Sequence, residues 1–108
     1  MSIPQVAVTE LADDAVILDV REQDEWDAGH APAALHIPLG ELPSRLGDLP
    51  DPDAGTLAVV CRSGGRSSRA VAWLVQQGFD VANVDGGMRA WHGAGKQMVS
   101  PSGTPAVR

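Results

Sequence analysis

A chain of 108 residues fits one compact domain and leaves no room for two, and at that length a core can bury roughly two-thirds of the unfolded surface. The single cysteine excludes an internal disulfide and any multi-thiolate metal site. A net charge of −6 argues against a nucleic-acid surface, because phosphate binding needs a basic face.

The first residues, MSIPQVAVTELADD, lack the basic start and unbroken apolar stretch of a secretory leader. No apolar run reaches the roughly 18 residues that a membrane span needs. A lone thiol suits a reducing compartment, so a cytoplasmic place and no membrane contact are expected.

In chain order, residues 6–8 form a short strand candidate. Residues 15–20 (AVILDV) are apolar without alternation, as in a strand covered on both faces. Residues 22–28 read as a short helix, acid-rich at its start and stopped by Gly29 with Pro32 beyond. A brief strand at 35–37 follows, then a helix at 40–46 with Leu42 and Leu46 one turn apart. Residues 56–61 (TLAVVC) form a second buried strand. The clearest helix begins at Gly65 or Arg66 and ends at Gln77, with Ala70, Val71, Leu74 and Val75 at helical spacing and Gly78 as the stop. Residues 81–84 give another strand, and 88–94 a last helix ended by Gly95. Short strands alternating with helices predict an α/β domain with a largely parallel sheet over residues 1–96. Residues 97–108, rich in Pro, Ser and Gly without periodicity, predict a flexible C-terminal tail.

Chemistry concentrates between the second buried strand and the clearest helix, in VVCRSGGRSS. Cys61 stands at the C-terminal end of a parallel strand, where open α/β sheets place their ligands. Gly64 and Gly65 let the backbone curl, so that amide N–H groups can converge on one point as an anion nest. The following helix aims its unsatisfied N–H groups and positive dipole end at that point, a contribution of about 0.3–1 kcal/mol. Residues 54–79 contain no acid yet carry Arg62, Arg66 and Arg69. Each of these effects favours thiolate over thiol at Cys61, and the cradle suits a sulfur nucleophile with an anionic substrate. The competing reading is a small buried core cysteine beside ordinary turn glycines.

At these residues the chain resembles the rhodanese family. Leu18-Asp19-Val20-Arg21-Glu22, Glu25-Trp26 and Gly29-His30-Ala31-Pro32 resemble its first signature, and Cys61 to Ser67 (CRSGGRS) resembles its active-site loop. Asp85-Gly86-Gly87-Met88-Arg89-Ala90-Trp91 resembles its closing signature. The three stretches occur in family order, while Ala31, Ala33 and His36 depart from the usual residues in a connecting segment. The resemblance implies a central five-stranded, mostly parallel sheet flanked by helices on both faces. It also implies a sulfurtransferase in which Cys61 attacks the outer sulfur of a donor such as thiosulfate, keeps that sulfur as a persulfide, and yields it to cyanide, a thiol or a protein acceptor. Arg62, Ser63, Gly64, Gly65, Arg66 and Ser67 then bind substrate: the loop amides hold the persulfide while Arg62 and Arg66 draw in the donor's oxyanion. Neither metal nor organic cofactor is needed, and monomer is the default state.

Asp19 and Arg21 are two positions apart on a strand, so they share a side and are expected to support the loop as an ion pair, or to form an ordinary strand-end salt bridge. His30 reads as a hydrogen-bonded structural residue, and Trp26, Trp73 and Trp91 as packing. Ser63 or Ser67 is a candidate helix cap. The alternatives to turnover are a sulfur-carrier module fed by a partner protein and a redox-sensing thiol. A cysteine phosphatase is disfavoured, because the related phosphatases place five residues between Cys and Arg where Cys61 and Arg66 have four.

Overall fold

The computed structural model describes residues 3–108. Five strands form one sheet: β1 (Gln5–Val6), β2 (Ile17–Asp19), β3 (Leu35–His36), β4 (Leu57–Val60) and β5 (Val81–Val84). Their order is β1-β5-β4-β2-β3 and every pairing is parallel, which puts β4 in the centre. Each buried apolar run of the sequence contains the strand expected of it, and β5 spans the predicted residues. Strands β2, β4 and β5 are buried along their whole length, which explains why they lack the alternation of a half-exposed strand.

The alternation of side chains along each strand separates two cores. Leu18, Val20, Leu57, Val59 and Cys61 join Ala70, Val71 and Leu74 of α2 (Gly65–Gln76) on one face. Ile17, Ala58, Val60 and Val84 join Met88 and Trp91 of α3 (Gly87–Gly93) on the other. The α2 stripe predicted from the sequence is the buried face of that helix, and Trp91 is fully buried.

Helix α1 (Gln23–Ala28) opens with a reciprocal capping box, in which Glu22 accepts from the Glu25 amide and Glu25 accepts from the Glu22 amide. Gly29 ends it with φ 164°, an extended value open to any residue. Glycine is needed there for space, because a Cβ would stand 2.7 Å from the Ala106 carbonyl oxygen. The helix expected over 40–46 is instead a 3-10 segment over Leu39–Ser44, followed by a second over Leu46–Asp48. Pro43 lies inside the first, and its missing N–H cannot sustain an α-helical ladder.

The segment expected to form a loose tail follows a defined path in the structure. The Lys96 ammonium donates to the Leu11 carbonyl and pairs with Asp13 at 2.8 Å. Val99 and His30 exchange both backbone hydrogen bonds, and the Ala106 amide donates to the Ala28 carbonyl. Met98 and Val107 pack on the α3-side core. These partners lie far away in sequence, so no local pattern signals them. Among the described residues, no helix is long and apolar enough to cross a membrane.

Candidate active site

The C-terminal end of the central strand brings Cys61 to the start of α2. The cysteine shares the α2 face with Val59 and is 1% exposed, while Arg62 and Ser63 beside it are exposed. Gly64 turns the chain with φ +117°, a left-handed value that a side chain resists, and serves as the N-cap of α2. Of the two loop glycines, the backbone thus requires only Gly64. Gly65 is the first residue of the helix, with φ outside the positive region and open space around its Cβ position. Neither Ser63 nor Ser67 caps the helix by its side chain.

This turn aims donors at the sulfur. The Gly64 amide donates to Cys61 Sγ at 3.0 Å, and Ser67 Oγ lies 3.3 Å from the same atom. Burial pushes the thiol up, but hydrogen bonds from the Ser67 hydroxyl and from the amides of Ser67, Gly64 and Ser63 outweigh it, so the thiol titrates below its ordinary range. The short-range donors, more than the arginines, carry the effect. The loop therefore stabilises negative charge on the Cys61 sulfur.

The Ser67 hydroxyl has one hydrogen and three acceptors within reach, namely Asn83 Oδ1, Cys61 Sγ and the Gly64 carbonyl. Once the sulfur is charged it is the strongest acceptor of the three, and the hydroxyl turns to it. Replacing Ser67 by Ala is therefore expected to shift the alkylation profile of Cys61 to higher pH. Below the transition the rate falls about tenfold, the equivalent of one hydrogen bond to a charged acceptor, and at high pH the two proteins converge. An unshifted profile would show that the hydroxyl does not reach the sulfur.

Arg66 departs from the expectation placed on it. Its guanidinium is held by Glu25 of α1 through two contacts, Nη1 to Oε1 at 2.6 Å and Nη2 to Oε2 at 2.7 Å. Arg66 raises the acidity of Glu25, whose carboxyl is held below its usual range chiefly by that contact. Arg66 itself is pushed further up, first by Glu25 and in smaller part by the charge on Cys61. The loop is thereby fastened to α1, and Arg62 remains without an ion-pair partner among the described residues.

On the opposite side, α3 docks against the same loop. The Met88 amide donates to the Cys61 carbonyl at 2.8 Å and the Arg89 amide to the Arg62 carbonyl at 3.0 Å. A Cβ on Gly87 would stand 2.5 Å from the Cys61 carbonyl oxygen, so glycine at the head of α3 permits the close approach. The cysteine loop, the Gly86-Gly87 pair and the first-signature residues all lie within residues 4–94, which the pattern of the rhodanese-like domain family matches. The chain belongs to that family. It is 39% identical over 93 residues to a sulfurtransferase of Allochromatium vinosum, covering 84% of each chain. It is 45% identical over 78 residues to a Bacillus subtilis protein provisionally named a sulfur carrier, covering 71% of this chain and 41% of that one. The solved structure of a rhodanese-related protein from Thermoplasma volcanium superposes with a TM-score of 0.80 at 31% identity, over 89% of this chain and 97% of the other.

The first rhodanese-like signature carries a buried ion pair. Asp19 and Arg21 are both fully buried and form a bidentate pair, with Nη2 to Oδ2 at 2.8 Å and Nε to Oδ1 at 3.0 Å. Arg21 also donates to the carbonyls of Glu25, within α1, and of Gly29 at its C-terminal end. His30 donates from Nδ1 to the Trp26 carbonyl and stacks on the Trp26 ring at 3.5 Å, and His36 stacks on it at 4.6 Å. Two site residues carried no role in the sequence reading. Glu25 acts across 41 positions, which no local pattern reveals. Asn83, 4% exposed, had a signal: it is the one amide in an otherwise apolar strand, and such a residue needs partners.

Proposed function

We propose that the protein moves sulfane sulfur from an anionic donor such as thiosulfate to a nucleophilic acceptor, through a persulfide on Cys61. The observation that carries this reading is the ring of donors around Cys61 Sγ, with the Gly64 amide at 3.0 Å and the Ser67 hydroxyl at 3.3 Å. In the first half-reaction the thiolate attacks the outer sulfur of thiosulfate, the donor's S–S bond breaks, and sulfite leaves with the bonding pair. The new terminal sulfur keeps the negative charge that the amides of Ser63, Gly64 and Ser67 are placed to stabilise. In the second, cyanide or a thiolate attacks that sulfur and the Cys61 thiolate departs unchanged. No net oxidation occurs, so no redox cofactor enters.

Arg62 meets the donor in this reading, while Arg66, engaged by Glu25, keeps the loop in place. The buried Asp19–Arg21 pair supports it from below. The family's sulfurtransferase members and the free thiol support the assignment and a cytoplasmic place. The sulfur-carrier relative favours a second reading, in which a partner protein loads Cys61.

The test is to incubate the protein with thiosulfate, record the intact mass, add cyanide and assay thiocyanate. We expect a gain of one sulfur atom that cyanide removes, with neither change in Cys61→Ser. No gain and no thiocyanate would remove thiosulfate as donor and favour loading by a partner. A gain that persists in Cys61→Ser would overturn the assignment of the nucleophile.

A further inference from the structure

We propose that Arg89 is a specificity-determining residue: with Arg62 it forms a two-arginine rim that draws anionic sulfur donors to Cys61. This rests on Cys61 being the nucleophile that meets such a donor. Arg62 directly follows the nucleophile, and its carbonyl accepts from the Arg89 amide at 3.0 Å. The two residues are therefore neighbours across the line where α3 meets the loop, although they are 27 positions apart in sequence. The approach is close because Gly87, with φ +59°, brings the head of α3 against the carbonyls of Cys61 and Arg62. Met88 and Trp91 turn inward and are buried, whereas Arg89 and Arg62 are exposed.

Among the described residues neither guanidinium has a carboxylate partner, and the exposed Asp85 before the turn pairs with neither. Arg66 differs from them, since Glu25 compensates its charge. In a chain of net charge −6, two adjoining exposed cations without ion-pair partners among the described residues, at the junction of α3 and the cysteine loop, mark where an anion is drawn in. A divalent oxyanion gains more from the pair than a monoanion, and a neutral reagent gains nothing. The class so selected is a small, multiply charged sulfane-sulfur anion.

The test compares alkylation of Cys61 by iodoacetate and iodoacetamide, reagents of similar size that differ by one charge. Their rate ratio cancels the thiolate fraction and reports the field at the sulfur. Arg89→Gln is expected to lower that ratio roughly threefold at low ionic strength, with a smaller change at high salt. It should raise the KM for thiosulfate by a similar factor and leave kcat unchanged. Gln76→Glu makes the same change in net charge at the exposed far end of α2, roughly 16 Å along the helix axis from the loop. It should leave the ratio within error of wild type.

An unchanged ratio in Arg89→Gln would overturn the proposal, as would an equal fall in Gln76→Glu. Should wild type take no sulfur from thiosulfate while the ratio still falls in Arg89→Gln, the rim stands and thiosulfate is the wrong anion. A wild-type Cys61 that iodoacetamide alkylates no faster than free cysteine would instead remove the reactive nucleophile on which the proposal rests.

Discussion

Replacement of Arg21 by Met is expected to cost about 3–5 kcal/mol of folding stability, a large part of what holds a domain of this size together. Arg21 and Asp19 are both wholly buried, and two of the guanidinium nitrogens serve the carboxylate. With Met in place, Asp19 keeps only the Arg21 backbone amide at 3.1 Å as a donor. The carbonyls of Gly29 and Glu25 lose their guanidinium donors as well. A buried charge with one remaining partner dominates that cost, so deleting both charges should be milder than deleting one. Asp19→Leu combined with Arg21→Met is accordingly expected to be more stable than Arg21→Met alone. Urea denaturation of the two proteins measures this. A single replacement costing under about 1 kcal/mol would mean that water reaches Asp19 and that the pair is an ordinary surface salt bridge.

The buried pair also reaches the chemistry by a traceable route. Arg21 holds α1 through the carbonyls of Glu25 and Gly29, α1 presents the Glu25 carboxylate, and Glu25 holds Arg66 in the loop. Loss of Arg21 should therefore weaken sulfur transfer even under conditions where the protein stays folded.

How far the sequence reveals this arrangement depends on the range of each interaction. Strands β2, β4 and β5 are legible because burial on both faces leaves continuous apolar runs. Helix α2 is legible from its periodic stripe, and the cysteine loop from the coincidence of strand end, glycine turn and helix start within a few residues. The pairing of Arg66 with Glu25 is not legible, because the sequence lists charges without saying which ones meet. With Glu25 compensating Arg66, the loop carries less net positive charge than its arginines suggest. The path of residues 96–108 is hidden for the same reason: Lys96 meets Asp13, and Ala106 meets Ala28, across more than seventy positions. The 3-10 segment at Leu39–Ser44 is not legible, because two leucines one turn apart suggest an α-helix whose ladder Pro43 between them cannot sustain.

Gly87→Ala should separate two properties that glycine confers, conformational freedom and space. Gly87 has φ +59° and Gly95 has φ +73°, so alanine at either site bears the left-handed penalty of about 1–2 kcal/mol. Their surroundings differ. At Gly95 a Cβ meets nothing within 4 Å, whereas at Gly87 it meets the Cys61 carbonyl oxygen at 2.5 Å and the Arg62 carbonyl carbon and oxygen at 2.7 Å. Those atoms are backbone and cannot rotate away, so α3 must withdraw from the loop. Withdrawal breaks the hydrogen bonds from Met88 to Cys61 and from Arg89 to Arg62, at roughly 1 kcal/mol each. It also displaces the nucleophile, and a displacement on the order of 1 Å costs about a hundredfold in rate. Gly95→Ala is thus expected to lose stability modestly and retain thiocyanate formation. Gly87→Ala is expected to lose about 2 kcal/mol more in urea denaturation and to fall about a hundredfold in kcat/KM for thiosulfate. Equal losses at the two glycines would show that the contact with the loop contributes nothing. The larger loss at Gly87 would mean that the contact of α3 with the loop holds Cys61 in position.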